Sequence, residues 1–243
     1  MYTRVVRLPN AQAVSRLVAE RLLATLVELQ SHRDSVHLCL TGGDAANAMY
    51  EHLAELAPAS DLDPSRLQLW WGDERFLPAT DPARNSLQAL TRLGRTIAIN
   101  PADTHMMAAK DGRKDSHENA AEYEAELTDV HFDITLLGVG ADGHVGSIFP
   151  GHPSFEPTAK LVIGVDDSPK KPAERISLTF NALNRTDQVW FLATGASKAV
   201  AVAGALASDM TLPAAHVHGR QSTIWYLDEE AAGLLPPQAT CAL

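Results

Sequence analysis

The sequence predicts an α/β fold with a mainly parallel, doubly wound β-sheet and helices on both faces. Short apolar segments rich in β-branched and aromatic residues alternate with amphipathic stretches along nearly the whole chain. Strands separated by helices of about 10–15 residues are typical of parallel crossover units, which place helices on both faces of a sheet. The 243 residues show no repeat, low-complexity tract or clear linker, so one domain over 1–243 is expected.

The first half of the chain begins with a helix predicted over 10–30. Val14, Val18 and Leu22 recur at helical spacing, and Asn10 is a plausible N-cap. The other elements predicted in this half are a strand at 36–40, a helix at 45–56, a strand at 67–71, helices at 86–93 and 116–127, and a strand at 133–138.

The second half continues the same alternation. Segments 161–165 and 175–178 are predicted to be extended, 188–193 and 222–227 to be strands, and 197–207 and 228–235 to be helices, the last ended by Pro236 and Pro237.

Composition and charge exclude several classes of partner. The formal net charge of −10 argues against nucleic-acid binding, and no basic stripe interrupts the acidic background. No segment approaches the roughly 20 apolar residues that span a bilayer. An acidic chain can still bind an anionic small molecule, because a few well-placed donors suffice for a phosphate.

Cysteine and histidine usage points to a cytoplasmic protein without metal or cofactor. Cys39 and Cys241 neither cluster nor repeat, so two free thiols in a reducing cytosol are expected. The N-terminus lacks the apolar core of a signal peptide. The ten histidines show no spacing that suggests a metal site.

The segment 132–150 is the strongest candidate for chemistry. An apolar strand runs into a glycine-rich turn that carries Asp142 and His144. A carboxylate beside an imidazole at a strand end suits proton transfer, although an isolated histidine is more often structural. Gly138, Gly140 and Gly143 also match the G-x-G-x-x-G motif of dinucleotide-binding folds. That motif requires a helix at its third glycine, and Pro150 and Pro153 allow only a very short one here.

Two other strand-to-helix junctions suggest anion binding. Thr41-Gly42-Gly43 precedes a predicted helix, whose N-terminus would attract an anion; a simple tight turn explains the motif equally well. At the second junction Lys198 lies in the first turn of a predicted helix, an unfavourable place for a cation unless an anion lies beside it.

Charged residues also follow the strand at 67–71 and precede the strand at 175–178. Arg75, after Asp73 and Glu74, could clamp an anion or stabilise an oxyanion, or these residues could form a surface ion pair. Asn85 could contact a substrate or cap the next helix. Further along, Lys170, Lys171 and Arg175 are either substrate contacts or solvated cations.

Taken together, these motifs resemble the 6-phosphogluconolactonase family. The resemblance covers about residues 16–235, and its most specific block is Asp-Gly-His-Val-Gly-Ser-Ile-Phe-Pro at 142–150. It rests also on Thr-Gly-Gly at 41–43, Trp-Gly-Asp-Glu-Arg at 71–75, Arg-Asn at 84–85, Ser-Pro-Lys at 168–170, Glu-Arg-Ile-Ser-Leu-Thr at 174–179 and Gly-Ala-Ser-Lys-Ala at 195–199. The wider superfamily, which includes glucosamine-6-phosphate deaminase/isomerase, implies a three-layer, Rossmann-like fold.

The resemblance implies metal-independent hydrolysis of 6-phospho-D-glucono-1,5-lactone to 6-phosphogluconate. His144 would be the general base and Asp142 would orient it, while Asp73 and Arg75 would line the reacting end. The implied substrate and phosphate contacts are Thr41, Gly42, Gly43, Asn85, Lys170, Arg175 and Lys198. The only partner expected is the phosphosugar lactone, bound by a monomer or weak homo-oligomer.

Departures from the family pattern leave some contacts and two rival functions open. Lys171 occupies a position where the family pattern has proline, so either Lys170 or Lys171 could reach the substrate. Ala45 and Asn47 also differ from the commoner residues. The rivals are a sugar-phosphate isomerase/deaminase, which the apolar Phe149 disfavours where that relative has a glutamate, and a non-catalytic sugar-phosphate sensor.

Overall fold

The computed structural model describes residues 2–237 and contains two sheets. The strands in this range are β1 (Tyr2–Leu8), β2 (Val36–Leu40), β3 (Leu67–Trp71), β4 (Asp73–Arg75), β5 (Thr104–His105), β6 (Phe132–Gly138), β7 (Val162–Val165), β8 (Arg175–Leu178), β9 (Thr186–Ala193) and β10 (Ser222–Asp228). The α-helices are α1 (Ala11–Gln30), α2 (Asp44–Leu56), α3 (Asn85–Leu93), α4 (Ser116–Leu127), α5 (Phe180–Leu183) and α6 (Ala199–Leu206).

The larger sheet has seven strands in the order β1-β10-β9-β6-β2-β3-β5, and every neighbouring pair is parallel. From β2 the chain proceeds outward through β3 and β5, and from β6 it proceeds in the opposite direction through β9 and β10. The order therefore reverses between β2 and β6. In open parallel sheets, ligands bind outside the carboxyl ends of the strands at such a point.

Helices cover both faces of this sheet, as the sequence predicts. Leu22 of α1 and Met49 of α2 pack in one apolar cluster, whereas Ala120 of α4 and Val202 of α6 pack in another on the opposite face. Alternation along β3 illustrates the arrangement: Trp70 belongs to the second cluster and Trp71 to the first, since successive side chains of a strand point to opposite faces. The predicted three-layer α/β architecture is confirmed.

The smaller sheet consists of three antiparallel strands in the order β4-β8-β7 and was not predicted. The chain enters it directly from β3 through Gly72, whose N–H donates to the carbonyl of Leu40 at 2.9 Å and whose carbonyl accepts from the N–H of Leu178 at 2.9 Å. This small sheet is thereby fastened to the carboxyl edge of the large one. It carries Asp73, Arg75 and Arg175 to the place where the strand order reverses.

Most predicted elements are present, and the errors concern three strands and the helices predicted after β9 and β10. The helix predicted over 10–30 is α1, and the side chain of Asn10 accepts a hydrogen bond from the N–H of Ala13 at 2.9 Å. The strand β1 was missed, as were the short strands β4 and β5. The helix predicted over 197–207 is shorter, because residues 196–198 form a 3₁₀ turn before α6.

The helix predicted over 228–235 is wrong. Asp228 ends β10, and its carboxylate accepts hydrogen bonds from the N–H groups of Gly195 and Ala231. Only successive turns follow, closed by Ala232 N–H to the Asp228 carbonyl and Gly233 N–H to the Glu230 carbonyl. The residue that was expected to begin a helix instead fastens the end of β10 to the turn after β9.

Two further expectations concern cysteines and membranes. Cys39 is buried in the large sheet and forms no disulfide, whereas Cys241 lies outside the described residues. No helix within residues 2–237 is long and apolar enough to cross a membrane.

Candidate active site

A cavity of about 410 Å³ opens at the carboxyl edge of the large sheet, where the strand order reverses. Loops after β2, β6 and β9 form its base, and the small sheet with the start of α3 forms one wall. Its lining residues are Thr41, Gly42, Gly43, Asp44, Ala45, Ala46, Asp73, Arg75, Asn85, Gly138, Val139, Gly140, His144, Gly146, Arg175, Leu192, Ala193, Thr194 and Lys198.

His144 and Asp142 form a hydrogen-bonded pair at the mouth of this cavity. Nδ1 of His144 lies 2.6 Å from Oδ1 of Asp142, and the imidazole packs on the ring of Phe149 with the ring centroids 4.7 Å apart. A carboxylate accepts but cannot donate when ionised, so Nδ1 carries a proton. In the neutral ring Nε2 is then the nitrogen that carries the lone pair and can accept a proton.

Gly140 is the residue that makes room for this pair. Its N–H donates to the carbonyl of His144 at 2.9 Å, and its carbonyl accepts from the N–H of Gly143 at 2.9 Å. A Cβ on Gly140 would lie well inside van der Waals contact with Nδ1 of His144 and Oδ1 of Asp142.

We expect Gly140→Ala to lower kcat by roughly 10²-fold, since displacing a catalytic group by about 1 Å can cost that much. Gly112→Ala is the matched control, because a Cβ at the exposed Gly112 meets nothing within 4 Å. Steady-state kinetics on both variants check the prediction. Equal kcat values in the two variants would show that Gly140 does not set the position of His144.

Lys170, and not Lys171, lies beside the His144–Asp142 pair. Its Nζ is 3.2 Å from Oδ1 of Asp142 and 3.2 Å from Nδ1 of His144, whereas Lys171 is exposed. Partial burial alone would raise the pKa of Asp142, but the hydrogen bond and charge of His144, together with the Lys170 ammonium, hold that pKa well below its usual range. Asp142 is therefore ionised throughout the neutral range.

Arg175 supports the loop that carries Lys170. Its Nε donates to the carbonyl of Pro172 at 3.1 Å, and its Nη2 donates to those of Lys170 and Lys171 at 2.9 and 3.2 Å. Nη1 lies 4.0 Å from Oδ2 of Asp73, and Arg175 lines the cavity. Arg175, which was expected to bind phosphate, thus also stabilises the loop that carries Lys170.

Asp73 is fixed on the wall of the cavity by neutral donors. Oδ2 accepts from Oγ of Ser147 at 2.7 Å, and Oδ1 accepts from Nδ2 of Asn85 at 3.2 Å. Asn85 also donates to the Asp73 carbonyl at 3.0 Å, while its buried Oδ1 has no hydrogen-bond partner within residues 2–237 and faces Gly42. Because a Cβ on Gly42 would overlap that amide, the glycine at this position is a requirement of packing.

A surface ion pair was one of the two interpretations of the charged residues after β3, but Glu74 is fully buried and caps α3. Its carboxylate accepts from the N–H groups of Asn85 and Ser86 at 2.6 and 2.8 Å, and from that of Arg75 at 2.8 Å. The buried guanidinium of Arg84 lies 3.6 Å away and donates to three backbone carbonyls. Asn85 therefore does not cap the helix, which was one of its two interpretations.

The base of the cavity is the junction between β2 and α2. Gly43 is the N-cap of α2 and has a φ of 103°, a conformation that favours glycine. Thr41 is held by the buried hydroxyl of Tyr50, which donates to its carbonyl at 2.8 Å and accepts from its N–H at 3.1 Å. No motif in the sequence indicates this role for Tyr50, whose side chain reaches back from the second turn of α2.

Lys198 faces the cavity from the turn after β9. This turn is held by Asp228, whose carboxylate accepts from the N–H of Gly195. Burial lowers the pKa of Lys198, and the charge of Lys170 lowers it further, against the opposing effect of Asp142 and Asp44. Two ammonium groups therefore lie close enough to interact, which is the environment an anion would stabilise.

The structure brings all the predicted site residues together around one cavity. Thr41, Gly42, Gly43, Asp73, Arg75, Asn85, His144, Arg175 and Lys198 line it, and Asp142 and Lys170 contact His144 at its edge. Their individual roles stay predictions. Within residues 2–237, no group of three or more His, Cys, Asp or Glu side chains has the arrangement of a metal site.

The family model described as glucosamine-6-phosphate isomerases/6-phosphogluconolactonase matches residues 9–225. The chain belongs to this family. Among curated members, the 6-phosphogluconolactonase of Streptomyces coelicolor is 45% identical over 242 residues, covering 93% of this chain and 92% of that protein. The 6-phosphogluconolactonase of Mycobacterium leprae is 38% identical over 229 residues, covering 89% of this chain and 92% of that protein.

The fold agrees with solved members of the lactonase/isomerase family. The crystal structure of 6-phosphogluconolactonase from Thermotoga maritima matches with a TM-score of 0.81 at 28% identity, covering 93% of this chain and all of that one. The resemblance found in the sequence motifs is thereby confirmed, and the chain is an enzyme of this family.

Proposed function

We propose that this enzyme hydrolyses 6-phospho-D-glucono-1,5-lactone to 6-phosphogluconate, the second step of the oxidative pentose phosphate pathway, with His144 as general base and without a metal. The observation that carries the proposal is the bond between Nδ1 of His144 and Asp142, which leaves Nε2 as proton acceptor at a cavity rich in cationic side chains. The lactonase relatives support the choice of substrate.

The proposed reaction begins when Nε2 of His144 removes a proton from water. The water oxygen attacks the lactone carbonyl carbon, and the carbonyl π electrons move to its oxygen to form a tetrahedral oxyanion. When the oxyanion collapses, the ring C–O bond breaks and the imidazolium returns its proton to the departing ring oxygen. A positioned general base contributes about 10²–10⁴-fold to such a reaction. A Ser or Cys nucleophile is not needed for these steps.

Arg75 is the group proposed to stabilise the oxyanion. It lines the cavity, its Nη1 donates to the Ala83 carbonyl, and its buried Nε has no acceptor among the residues that the structure describes. A cationic donor that is already held in place can add roughly 10²–10³-fold, because little reorganisation is needed during the reaction. Asp73, whose Oδ2 lies 4.0 Å from Nη1 of Arg175, would orient the substrate beside Arg75.

The phosphate is proposed to bind at the base of the cavity, away from the reacting carbon. The N-terminus of α2 behind Thr41, Gly42 and Gly43 would supply backbone N–H groups, and Lys198 with Nη1 of Arg175 would supply charge. Binding energy from this remote group would fix the orientation of the lactone against His144.

Replacing Lys198 with alanine is expected to raise KM about 10- to 100-fold while changing kcat much less. A hydrogen bond to a charged group contributes about 1.5–3 kcal/mol. The bond between Lys198 and the phosphate is proposed to be equally strong in the ground state and the transition state. Steady-state kinetics with Lys171→Ala as control test it. An unchanged KM would remove Lys198 from the phosphate site.

The lowered pKa of Lys198 also predicts how binding depends on pH. An anion binds the protonated lysine, so affinity falls as pH rises through the pKa of the free enzyme, which lies below the 10.5 of an ordinary lysine. Calorimetric titration with 6-phosphogluconate, which is stable where the lactone is not, should show this loss. The Lys198→Arg variant should keep its affinity for 6-phosphogluconate to higher pH. If the wild type and Lys198→Arg lost affinity over the same pH range, Lys198 would not be the group that binds the phosphate.

Phe149 weighs against the isomerase or deaminase alternative. Its side chain is fully buried against the imidazole of His144, where the resemblance to the deaminase would require a carboxylate for ring opening. A phenyl ring cannot transfer a proton. The proposal therefore predicts no turnover of glucosamine 6-phosphate.

A pH-stat assay on freshly prepared lactone tests the proposed function, since hydrolysis to the acid releases one proton. Metal-independent catalysis predicts rates well above spontaneous hydrolysis that EDTA leaves unchanged. Glucosamine 6-phosphate, assayed separately by ammonia release, distinguishes a deaminase. A lactone rate equal to the spontaneous rate would refute the lactonase, and binding without turnover of either compound would indicate a sensor.

A further inference from the structure

Lys170 shares one carboxylate oxygen with His144. The Nζ of Lys170 and the Nδ1 of His144 both lie within hydrogen-bond distance of Oδ1 of Asp142, at 3.2 and 2.6 Å. Nδ1 already directs its proton to that oxygen, so the 3.2 Å approach of Nζ to Nδ1 cannot be a hydrogen bond. The ammonium therefore acts on the imidazole through its charge and through Asp142.

This lysine is held in place through its backbone. The carbonyl of Lys170 accepts from Nη2 of Arg175 at 2.9 Å and from Oγ of Ser168 at 3.0 Å. Arg175 and Ser168 are both buried, and the N–H of Ser168 closes the loop by donating to the Ala173 carbonyl at 3.0 Å. A lysine whose only role was contact with solvent would not require a loop held by two buried side chains.

The two charged neighbours of the imidazole have opposite effects on it. An anion favours the imidazolium, and a cation favours the neutral ring. Asp142 alone would orient His144 well but would also promote its protonation, and a protonated base cannot accept a proton from water. A cation on the same oxygen opposes that effect while the orienting hydrogen bond persists.

We propose that Lys170 is a positioning residue that holds the Asp142 carboxylate on Nδ1 of His144 and, by its charge, keeps the imidazole neutral and able to accept a proton. This inference rests on the proposed base catalysis by His144 and gives Lys170 a role other than phosphate binding. The remaining charged groups around the cavity that His144 faces are Asp44, Asp73, Arg75, Arg175 and Lys198.

The test compares Lys170→Met with Lys170→Arg and Lys171→Met in two measurements. In the pH profile of kcat/KM, the acid limb of Lys170→Met should move upward by about one pH unit, because a unit charge about 4 Å away at a partly exposed site has about that effect. Lys170→Arg, which keeps the charge, and Lys171→Met, an exposed neighbour, should retain the wild-type limb. KM of Lys170→Met near neutral pH should change far less than that of Lys198→Ala.

The second measurement does not depend on turnover. NMR titration of the His144 ring, assigned with His144→Gln, should show the same upward displacement of its midpoint in Lys170→Met alone. Such a displacement in an enzyme that fails to hydrolyse the lactone would reject the proposed function but support the role of Lys170. A midpoint and acid limb that coincide with those of Lys171→Met, or a raised KM as the only effect, would overturn the inference.

Discussion

Replacing His144 with alanine is expected to lower kcat by about 10²–10⁴-fold and to leave the affinity for 6-phosphogluconate nearly unchanged. The lower rate follows from losing the general base, which contributes about that factor. Affinity is retained because the residues proposed to bind the phosphate, Thr41, Arg175 and Lys198, lie on other segments of the cavity wall. The measurements are initial rates in the pH-stat and calorimetric titration with 6-phosphogluconate.

His32→Ala is a matched control, because this exposed histidine is bonded to its neighbour Ser31. It should retain the wild-type rate and affinity. If His144→Ala lost binding together with activity, His144 would be a ligand for the substrate and not its base. If it kept the wild-type rate, another group would have to activate the water.

Replacing Glu74 with alanine is expected to destabilise the fold by about 3–5 kcal/mol, the usual cost of removing one partner from a buried ion pair. The variant leaves the N–H groups of Arg75, Asn85 and Ser86 without their acceptor and leaves Arg84 as an uncompensated buried charge. At roughly 2–4 °C per kcal/mol for a domain of this size, Tm should fall by about 10 °C.

Thermal unfolding and urea titration of Glu74→Ala, beside Glu51→Ala, check this value. Glu51 pairs with Arg92 but is exposed, so its removal should cost less than about 1 kcal/mol. Activity should also fall, because the same carboxylate holds the backbone of Arg75 and Asn85 at the cavity. If the two variants were equally stable, water could replace the Glu74 carboxylate as acceptor for the N–H groups at the start of α3.

The sequence predicted those parts of the site whose signals are local. The turn with Asp142 and His144, the glycines after β2 and the cations of later loops are short motifs with an evident chemical purpose. For Lys198, the unfavourable position of a cation at a predicted helix start was enough to predict a place in an anion site, and the structure puts it on the cavity wall. The fold class could be predicted from the alternation of strands and helices, because strands joined through helices form parallel crossover units.

What could not be predicted depends on contacts between segments distant in the sequence. Glu74 resembles any charged residue after a strand until α3 is placed above it, and Asn85 offered that helix a local cap. Only the structure shows that the N-cap Arg84 provides no capping side chain. Tyr50 and Ser147 give no local sign of the residues they hold. The error over 228–235 has the same origin, since Asp228 uses its carboxylate on Gly195, far along the chain.

The pairing of β1 with β10 also constrains biosynthesis. β1 precedes every other described element, yet its neighbour in the sheet is β10, with Tyr2 opposite Ser222 and Leu8 opposite Asp228. Among the strands of residues 2–237, the first to leave the ribosome therefore cannot pair until the last has been made. Until β10 is made, β1 and the edge of β9 that faces away from β6 remain unpaired, and such open edges promote association between chains. Completion of the sheet is thus delayed until β10 has left the ribosome, however early the central strands assemble.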